Sequence, residues 1–312
     1  MAKAYRSSSP SETPTIDNPT IAPQSPQAPA PAPSPISNSF SASLASPASL
    51  RFDSSSSESV EPDTPDSVDI SVVMPCLNES RTLPGCLESA HAGLRAVGLS
   101  GEIIIADNGS TDGSQELVRR FDRHLPSAKT SEQHQPRVRV IDVAERGYGA
   151  ALLGGIAAAR GKFIVMADAD GSYDFGEIAR FIEKLDAGYD LVMGNRFAGR
   201  IMPGAMPWHH RYIGNPLLSG LGRLLYRTPC RDWHCGLRAF DRERINALHL
   251  RSTGMEFATE MVIRAQQNNL RITEIPITLH PDGRDRRPLL RSVRDGLRHL
   301  WAMARSFFRS RG

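Results

Sequence analysis

Asp168 and Asp170 flank a single alanine directly after the apolar run Phe163–Ala167, so both carboxylates leave one strand end on one turn. Two carboxylates so placed can reach the same divalent cation. Mg²⁺ and Mn²⁺ favour oxygen ligands and typically take one or two carboxylates, with substrate phosphates supplying others. A cation held there would bridge a diphosphate and neutralise charge as it leaves. Two other turns carry chemistry-bearing groups: Pro75-Cys76-Leu77-Asn78-Glu79 and Asp107-Asn108-Gly109-Ser110-Thr111-Asp112-Gly113, each following an apolar run. An acid at the end of a second strand, as Asp107 would be, can accept from a base or a ribose. Gly109 and Gly113 let the backbone turn closely around it. Glu256 and Glu260 lie four apart, hence on one face of a helix. They read either as acids satisfied within the fold or, for Glu260, as the orienter of an arginine or a sugar hydroxyl.

The elements that position these groups follow from periodicity. Apolar runs at Ile70–Pro75, Glu102–Ala106, Val138–Val143, Phe163–Ala167 and Leu191–Gly194 read as buried strands. Helical spacing intervenes at Glu79–Val97, Asp112–His124, Gly149–Arg160 and Asp174–Ala187, with Thr111 or Asp112 near the second cap. Such β-α alternation predicts a mainly parallel, doubly wound sheet flanked by helices, with ligands bound at the carboxyl ends of its strands. Beyond Gly194 come a loop at Phe197–Trp208, an apolar helix at about 210–226, and a Cys/Trp/His turn. A strand at Leu237–Phe240, a helix at Glu256–Gln267 and a strand at Ile272–Leu279 complete the pattern.

The 312 residues, 40% hydrophobic and 23% charged, suffice for one large α/β domain or at most two small ones. Residues 1–67 are rich in Ser, Pro and Ala and read as a disordered tail, because they bury too little apolar surface to offset their ordering entropy. The four cysteines match no disulfide framework. With His209, His210 and His234 they lack the paired spacing of a zinc site. No apolar run reaches the roughly 18 residues of a membrane span, and prolines and serines stand where a signal peptide carries leucines. The expectation is a cytoplasmic chain, either free or peripheral at the cytoplasmic face of a membrane. At the C-terminus, Leu289, Leu290, Val293, Leu297, Leu300, Trp301, Ala304 and Phe308 recur with helical period beside Arg287, Arg291, Arg294, Arg298, Arg305 and Arg309. That basic amphipathic helix either lies in a membrane interface or packs on its own domain. No nucleic-acid module accompanies the arginines, so no nucleic-acid partner is expected.

Taken together, Pro-x-x-Asn-Glu at 75–79, Asp-x-Gly-Ser-Thr-Asp-Gly at 107–113, Gly-Tyr-Gly-Ala-Ala at 147–151 and Asp-x-Asp at 168–170 resemble the family 2 glycosyltransferases of the GT-A fold. The resemblance covers about 69–279. Within it, Gly194-Asn195-Arg196 and the run from Arg231 to Phe240 are similar to elements of dolichyl-phosphate mannose and glucose synthases. Cys235 stands where those enzymes carry serine, Leu237 where they carry phenylalanine, and Ser172 where mannosyl enzymes often carry glutamine. Mannose is therefore not assigned, and overall likeness to the glucosyl members favours UDP-glucose.

The resemblance implies a GT-A domain over 68–280 followed by the basic helix over 281–312. It implies a nucleotide-sugar donor of the UDP-glucose or GDP-mannose type, bound by Pro75, Asn78, Glu79, Asp107, Asn108, Gly149 and Asp168. Mg²⁺ or Mn²⁺ would sit on Asp168 and Asp170. The implied acceptor is a polyprenyl phosphate, whose oxygen attacks the anomeric carbon with inversion. A phosphate monoester is largely dianionic at neutral pH, with a second pKa of about 6, so it needs no general base. Holding two anions close together calls for arginines. Arg196, Arg231 and Arg238 are then the catalytic candidates beside Asp170, with Arg284 or Arg287 as helpers. The alternative is a hydroxyl acceptor, which requires a carboxylate base. A dinucleotide-binding oxidoreductase fits poorly, since Leu152 occupies the place of the third fingerprint glycine.

Overall fold

The computed structural model describes residues 68–125, 135–284 and 292–309. The expected tail over 1–67, most of the loop after Pro126, and Arg287, Leu289, Leu290 and Arg291 lie outside the described residues. The described strands are β1 (Ile70–Cys76), β2 (Gly101–Asp107), β3 (Arg137–Asp142), β4 (Phe163–Met166), β5 (Leu191–Ile201), β6 (Arg238–Asp241) and β7 (Ile272–Leu279). They form one sheet in the order β3-β2-β1-β4-β6-β5-β7. β1 pairs in parallel with β2 and β4, β2 with β3, and β5 with β7. β6 runs antiparallel between β4 and β5. The expected mainly parallel sheet is what forms.

Alternation along the central strands explains their unbroken apolar runs. Val72, Met74, Ile103, Ile105 and Val165 join a core on one face, while Val73, Ile104, Ile164 and Met166 join a second core on the other. Helices α1 (Leu83–Val97), α2 (Ser114–His124) and α4 (Ile178–Asp186) cover the first face. The second is covered by α3 (Tyr148–Ala158), α5 (Asn215–Tyr226), α7 (Phe257–Gln267) and α8 (Ser292–Arg309). A short α6 spans Arg242–Asn246 and has no counterpart in the sequence expectation. Each fully buried Leu, Ile or Val contributes about 1.5–3 kcal/mol, so the two cores hold the strand ends firmly.

Three boundaries differ from expectation, each for a local reason. α1 begins at Leu83 rather than Glu79, because Glu79–Thr82 form a turn in which the Leu83 amide donates to the Glu79 carbonyl at 2.9 Å. α2 begins at Ser114, with Asp112 accepting from its amide at 3.1 Å and its hydroxyl at 2.6 Å. β5 does not stop at Gly194. After a register shift past Asn195 it pairs again, Arg200 with Thr278 and Ile201 with Leu279, so part of the expected 197–208 loop is strand.

The C-terminal helix packs on its own domain. His299 accepts or donates at 2.7 Å with Thr259 of α7, and Tyr226 of α5 donates to the Met303 carbonyl at 2.5 Å. Among the described residues no helix is long and apolar enough to cross a membrane.

Candidate active site

The loops leaving β1, β2 and β4 meet at the carboxyl edge of the sheet. The β1 and β2 loops are laced together. Asn78, at φ 57, is one of few side chains that tolerate the left-handed region. Its Oδ1 accepts from the Thr111 amide at 2.7 Å, and its own amide donates to Ser110 Oγ at 2.8 Å. Asp107 accepts on Oδ2 from the Gly109 and Ser110 amides and from Gln115 Nε2, each at 2.9 Å. Burial opposes its charge, but these hydrogen bonds prevail and hold its carboxyl below the usual range. Its Oδ1 is buried without a partner among the described residues.

Asn108 has no such capacity to spare. Its amide donates to the Val143 and Glu145 carbonyls at 3.0 and 2.7 Å and accepts from Gly147 at 2.7 Å. It therefore shapes the 143–147 loop as well as lining the cavity.

The cavity measures about 360 Å³ and is walled by Pro75, Glu79, Asn108, Tyr148 and Asp168, with Arg146, Arg284 and Arg298 at its polar side. Gly149, expected among the binding residues, does not line it. It packs where a Cβ would lie 2.2 Å from the Ser252 carbonyl, so the residue is glycine for close approach of α3 to the 252–257 loop.

The Asp168–Asp170 turn is ringed by partners that the motif does not contain. Burial, and then Asp170, push the Asp168 carboxyl up to about 6, against the opposing pull of Arg284 and of a hydrogen bond from Tyr148. Asp170 accepts from the Ser172 amide at 3.0 Å and pairs with Arg284 at 3.1 Å. Arg284 also grips Glu79 at 2.8 Å, spanning two of the expected binding residues with one guanidinium. The residues fit a divalent ion that completes its shell elsewhere. Two carboxylates stand on one turn, and among the described residues no group of three or more His, Cys, Asp or Glu gathers to enclose a metal. Diphosphate oxygens and water would have to supply the remaining ligands.

The 231–240 run packs against the acid turn at Gly236. A Cβ on Gly236 would lie 2.7 Å from Asp168 Oδ2 and 3.1 Å from the Tyr173 hydroxyl, which itself accepts from the Gly236 amide at 2.8 Å. Arg196 is buried and bidentate to Asp232, Nε and Nη2 each 2.7 Å from its oxygens. Burial works against the guanidinium charge, but Asp232 raises its pKa further above the ordinary value. Arg231 is exposed, and its amide, with that of Asp232, donates to Glu274 at 2.6 and 2.8 Å.

Arg238 departs from its expected catalytic place. It is wholly buried, and its guanidinium donates to the Trp233, Cys235 and Ala258 carbonyls at 2.7, 2.9 and 2.9 Å. Those donors fold the loop and are not offered to a substrate. Cys235 is likewise turned inward: its thiol contacts the Leu237 carbonyl at 3.6 Å, and burial pushes its pKa to about 12.

Sequence reasoning passed over Tyr148, Arg146, Arg298 and Glu274. Tyr148 had a signal, since it stands inside the Gly147–Gly149 motif. So did Glu274, an acid in the apolar run of β7, where it accepts from Asn195 at 2.8 Å as well. Arg298 reaches the cavity from α8 and carried no signal beyond membership of a basic stripe.

The sequence model of Glycosyl transferase family 2 matches residues 71–248. The chain is 38% identical over 232 residues to the low-salt glycan biosynthesis hexosyltransferase Agl6 of Haloferax volcanii, with 74% of this chain and 52% of Agl6 aligned. It is 30% identical to the dolichyl-phosphate beta-glucosyltransferase of Dictyostelium discoideum, covering 68% of this chain and 66% of that one. The chain thus spans about half the length of Agl6. Among solved structures it superposes on glucosyl-3-phosphoglycerate synthase from Mycobacterium tuberculosis, in complex with Mn²⁺, UDP-glucose and phosphoglyceric acid. That match has a TM-score of 0.57 at 20% identity, over 77% of this chain and 80% of the other. At that identity the likeness concerns the fold, which is the GT-A architecture.

Proposed function

The chain belongs to glycosyl transferase family 2, and from that premise we propose that it transfers a hexose, with inversion, from a nucleotide sugar to the phosphate of a polyprenyl lipid. The nucleotide would rest on the laced β1 and β2 loops, with the free Asp107 Oδ1 accepting from base or ribose. Asp168 and Asp170 would hold Mg²⁺ or Mn²⁺, which supplies charge neutralisation at the leaving diphosphate. Arg284, already paired to Asp170 and Glu79, adds positive charge to the same corner. Arg196, fixed by Asp232, and the exposed Arg231 are the candidates for the acceptor phosphate. Arg238 and Glu274 position that pair through the loop they fold.

One observation carries the choice of acceptor. Of the carboxylates that line the cavity, Glu79 is paired with Arg284 and Asp168 is assigned to the metal. Neither is free to take a proton from a hydroxyl, whereas a phosphate dianion needs no base. The likeness to a dolichyl-phosphate glucosyltransferase supports the same reading. A hydroxyl acceptor remains as the second reading because of Glu256, whose buried Oε2 has no partner among the described residues. That oxygen sits against Gly254, which lines the cavity, while Glu256 itself lines the neighbouring pocket beside α8. It could serve as the base such an acceptor requires.

The experiment is transfer of radiolabel from UDP-glucose or GDP-mannose to polyprenyl phosphate with Mn²⁺ or Mg²⁺, beside Asp170→Ala. Label should enter the organic phase from one donor and fall by about a hundredfold or more in the variant. Donor cleavage without lipid labelling, abolished by Glu256→Gln, would move the hydroxyl reading ahead.

A further inference from the structure

From Ile201 to Cys230 the chain carries no Asp or Glu, yet it holds Arg211, Arg223 and Arg227. The same stretch exposes large apolar side chains: Trp208 at 68%, Tyr212 at 67%, Ile213 at 53%, Leu217 at 67% and Leu224 at 77%. Ile213, Leu217 and Leu224 recur at helical spacing along the π-helical turn His210–Gly214 and α5, so they share one face. The opposite face is already used, since Ser219, Gly222 and Tyr226 are buried. α5 is therefore apolar on a side that the domain does not cover. A monomeric soluble protein rarely leaves such a run open.

We propose that α5 and the turn before it are a docking surface for the headgroup interface of an anionic lipid bilayer. Leu217 and Leu224 would enter the acyl boundary, Trp208 and Tyr212 would lie at headgroup level, and Arg211 and Arg223 would meet the lipid phosphates. Three features select a bilayer over other occupants: a wholly basic charge balance, aromatics beside the aliphatic stripe, and a helix that lies on a surface rather than spanning one.

The surface is mechanically joined to the site. Gly222 lies against the Trp233 ring so closely that a Cβ would be 2.6 Å from Cη2, and Ser219 Oγ accepts from the Trp233 amide at 3.3 Å. Trp233 follows Asp232, which grips Arg196. Docking α5 would thus set the height of Arg196 and Arg231 above the lipid phosphates. The inference rests on the polyprenyl-phosphate reading, because such an acceptor keeps its tail in the bilayer. α8 adjoins through Tyr226 and Phe307 and itself exposes Leu297, Leu300 and Trp301, the last beneath Arg305. The basic C-terminal helix would then be the flank of the surface, with α5 at its centre.

The test is flotation of the full chain with vesicles of phosphatidylcholine, alone or mixed with phosphatidylserine. The chain should float with the mixed vesicles and be released by salt. Leu217→Asp with Leu224→Asp should lower partition by about tenfold or more without changing the melting temperature. The milder pair Leu217→Gln with Leu224→Gln should shift it in the same direction if the aspartates impair folding. Arg223→Glu should reduce the preference for anionic vesicles. A wild-type chain that stays below the gradient overturns the proposal, as does a double variant that floats unchanged. A wild type that is dimeric by light scattering, with a monomeric double variant, assigns the face to a second copy instead. Transfer to a water-soluble short-chain prenyl phosphate separates this inference from the reading beneath it. Flotation without such transfer sinks the acceptor assignment and spares the surface. Soluble transfer without flotation does the reverse.

Discussion

At Asp168 the acid turn, α3 and the 231–240 run meet. The Tyr148 hydroxyl bonds it from α3, Gly236 makes room for it from the 231–240 run, and Arg284 and Asp170 set the local charge with opposite signs. A carboxylate meant to bind a cation gains from a donor that fixes its rotamer, because the ligand then does not have to be ordered when the ion arrives. Tyr148→Phe keeps the ring and removes that donor. The expected outcome is Mn²⁺ affinity weakened by about tenfold or more, read as the metal concentration at half-maximal transfer, with the rate at saturating Mn²⁺ much less affected. Equal loss at every Mn²⁺ concentration would count against a metal-orienting role for the phenol.

At the scale of elements, the site is a seam between the parallel half of the sheet and the antiparallel insertion of β6. The loop leading into β6 delivers Asp232, Cys235 and Gly236 beneath the acid turn that follows β4, and β6 then pairs with β4 itself through Met166 and Arg238. The two loops therefore cannot move independently. Gly236→Ala places a methyl 2.7 Å from Asp168 Oδ2, so the carboxylate or the loop must give way. Displacement of about 1 Å in a reacting constellation costs on the order of a hundredfold in rate. Transfer should fall by about that factor while the melting temperature changes little, as transfer assays beside thermal melts would report. Retained activity would mean that Asp168 moves aside without consequence.

For the whole molecule, stability is anchored away from the chemistry. Glu102 is buried near the amino end of β2. It accepts from Ser71 Oγ and the Arg160 amide at 2.8 Å each, and from Arg139 and Arg160 side chains at 3.0 and 3.1 Å. Burial alone would raise its pKa, but the four donors outweigh it and the folded value lies below the ordinary 4.5. A carboxyl depressed by folding stabilises the native state above its unfolded pKa and loses that contribution as pH falls through the folded value. Glu102→Gln should therefore cost about 2–3 kcal/mol near neutral pH. The gap to wild type should close as pH drops below about 4.5. Urea titrations of both proteins across that range are the measurement, and a gap that stays constant would show that the charge is not what matters.

The chain's order of apolar runs and turns determined the sheet, the strand ends at which ligands meet, and the acid turn at 168–170. These are local facts, because a buried parallel strand must be apolar on both faces and its loop must carry whatever chemistry the edge presents. The sequence could not say which of three similar arginines faces a substrate. Arg196, Arg231 and Arg238 differ only in where the fold spends their donors: on one carboxylate, on no described side chain, and on three backbone carbonyls. Nor did periodicity tell that α5 leaves its leucines in solvent, since an apolar helical face looks the same whether a core or a bilayer covers it. Partners separated by a hundred residues or more, such as Arg284 with Glu79, come together only when both cores close. Roles that depend on such partners belong to the tertiary structure, because burial and long-range pairing are properties of the packed chain and not of any stretch within it.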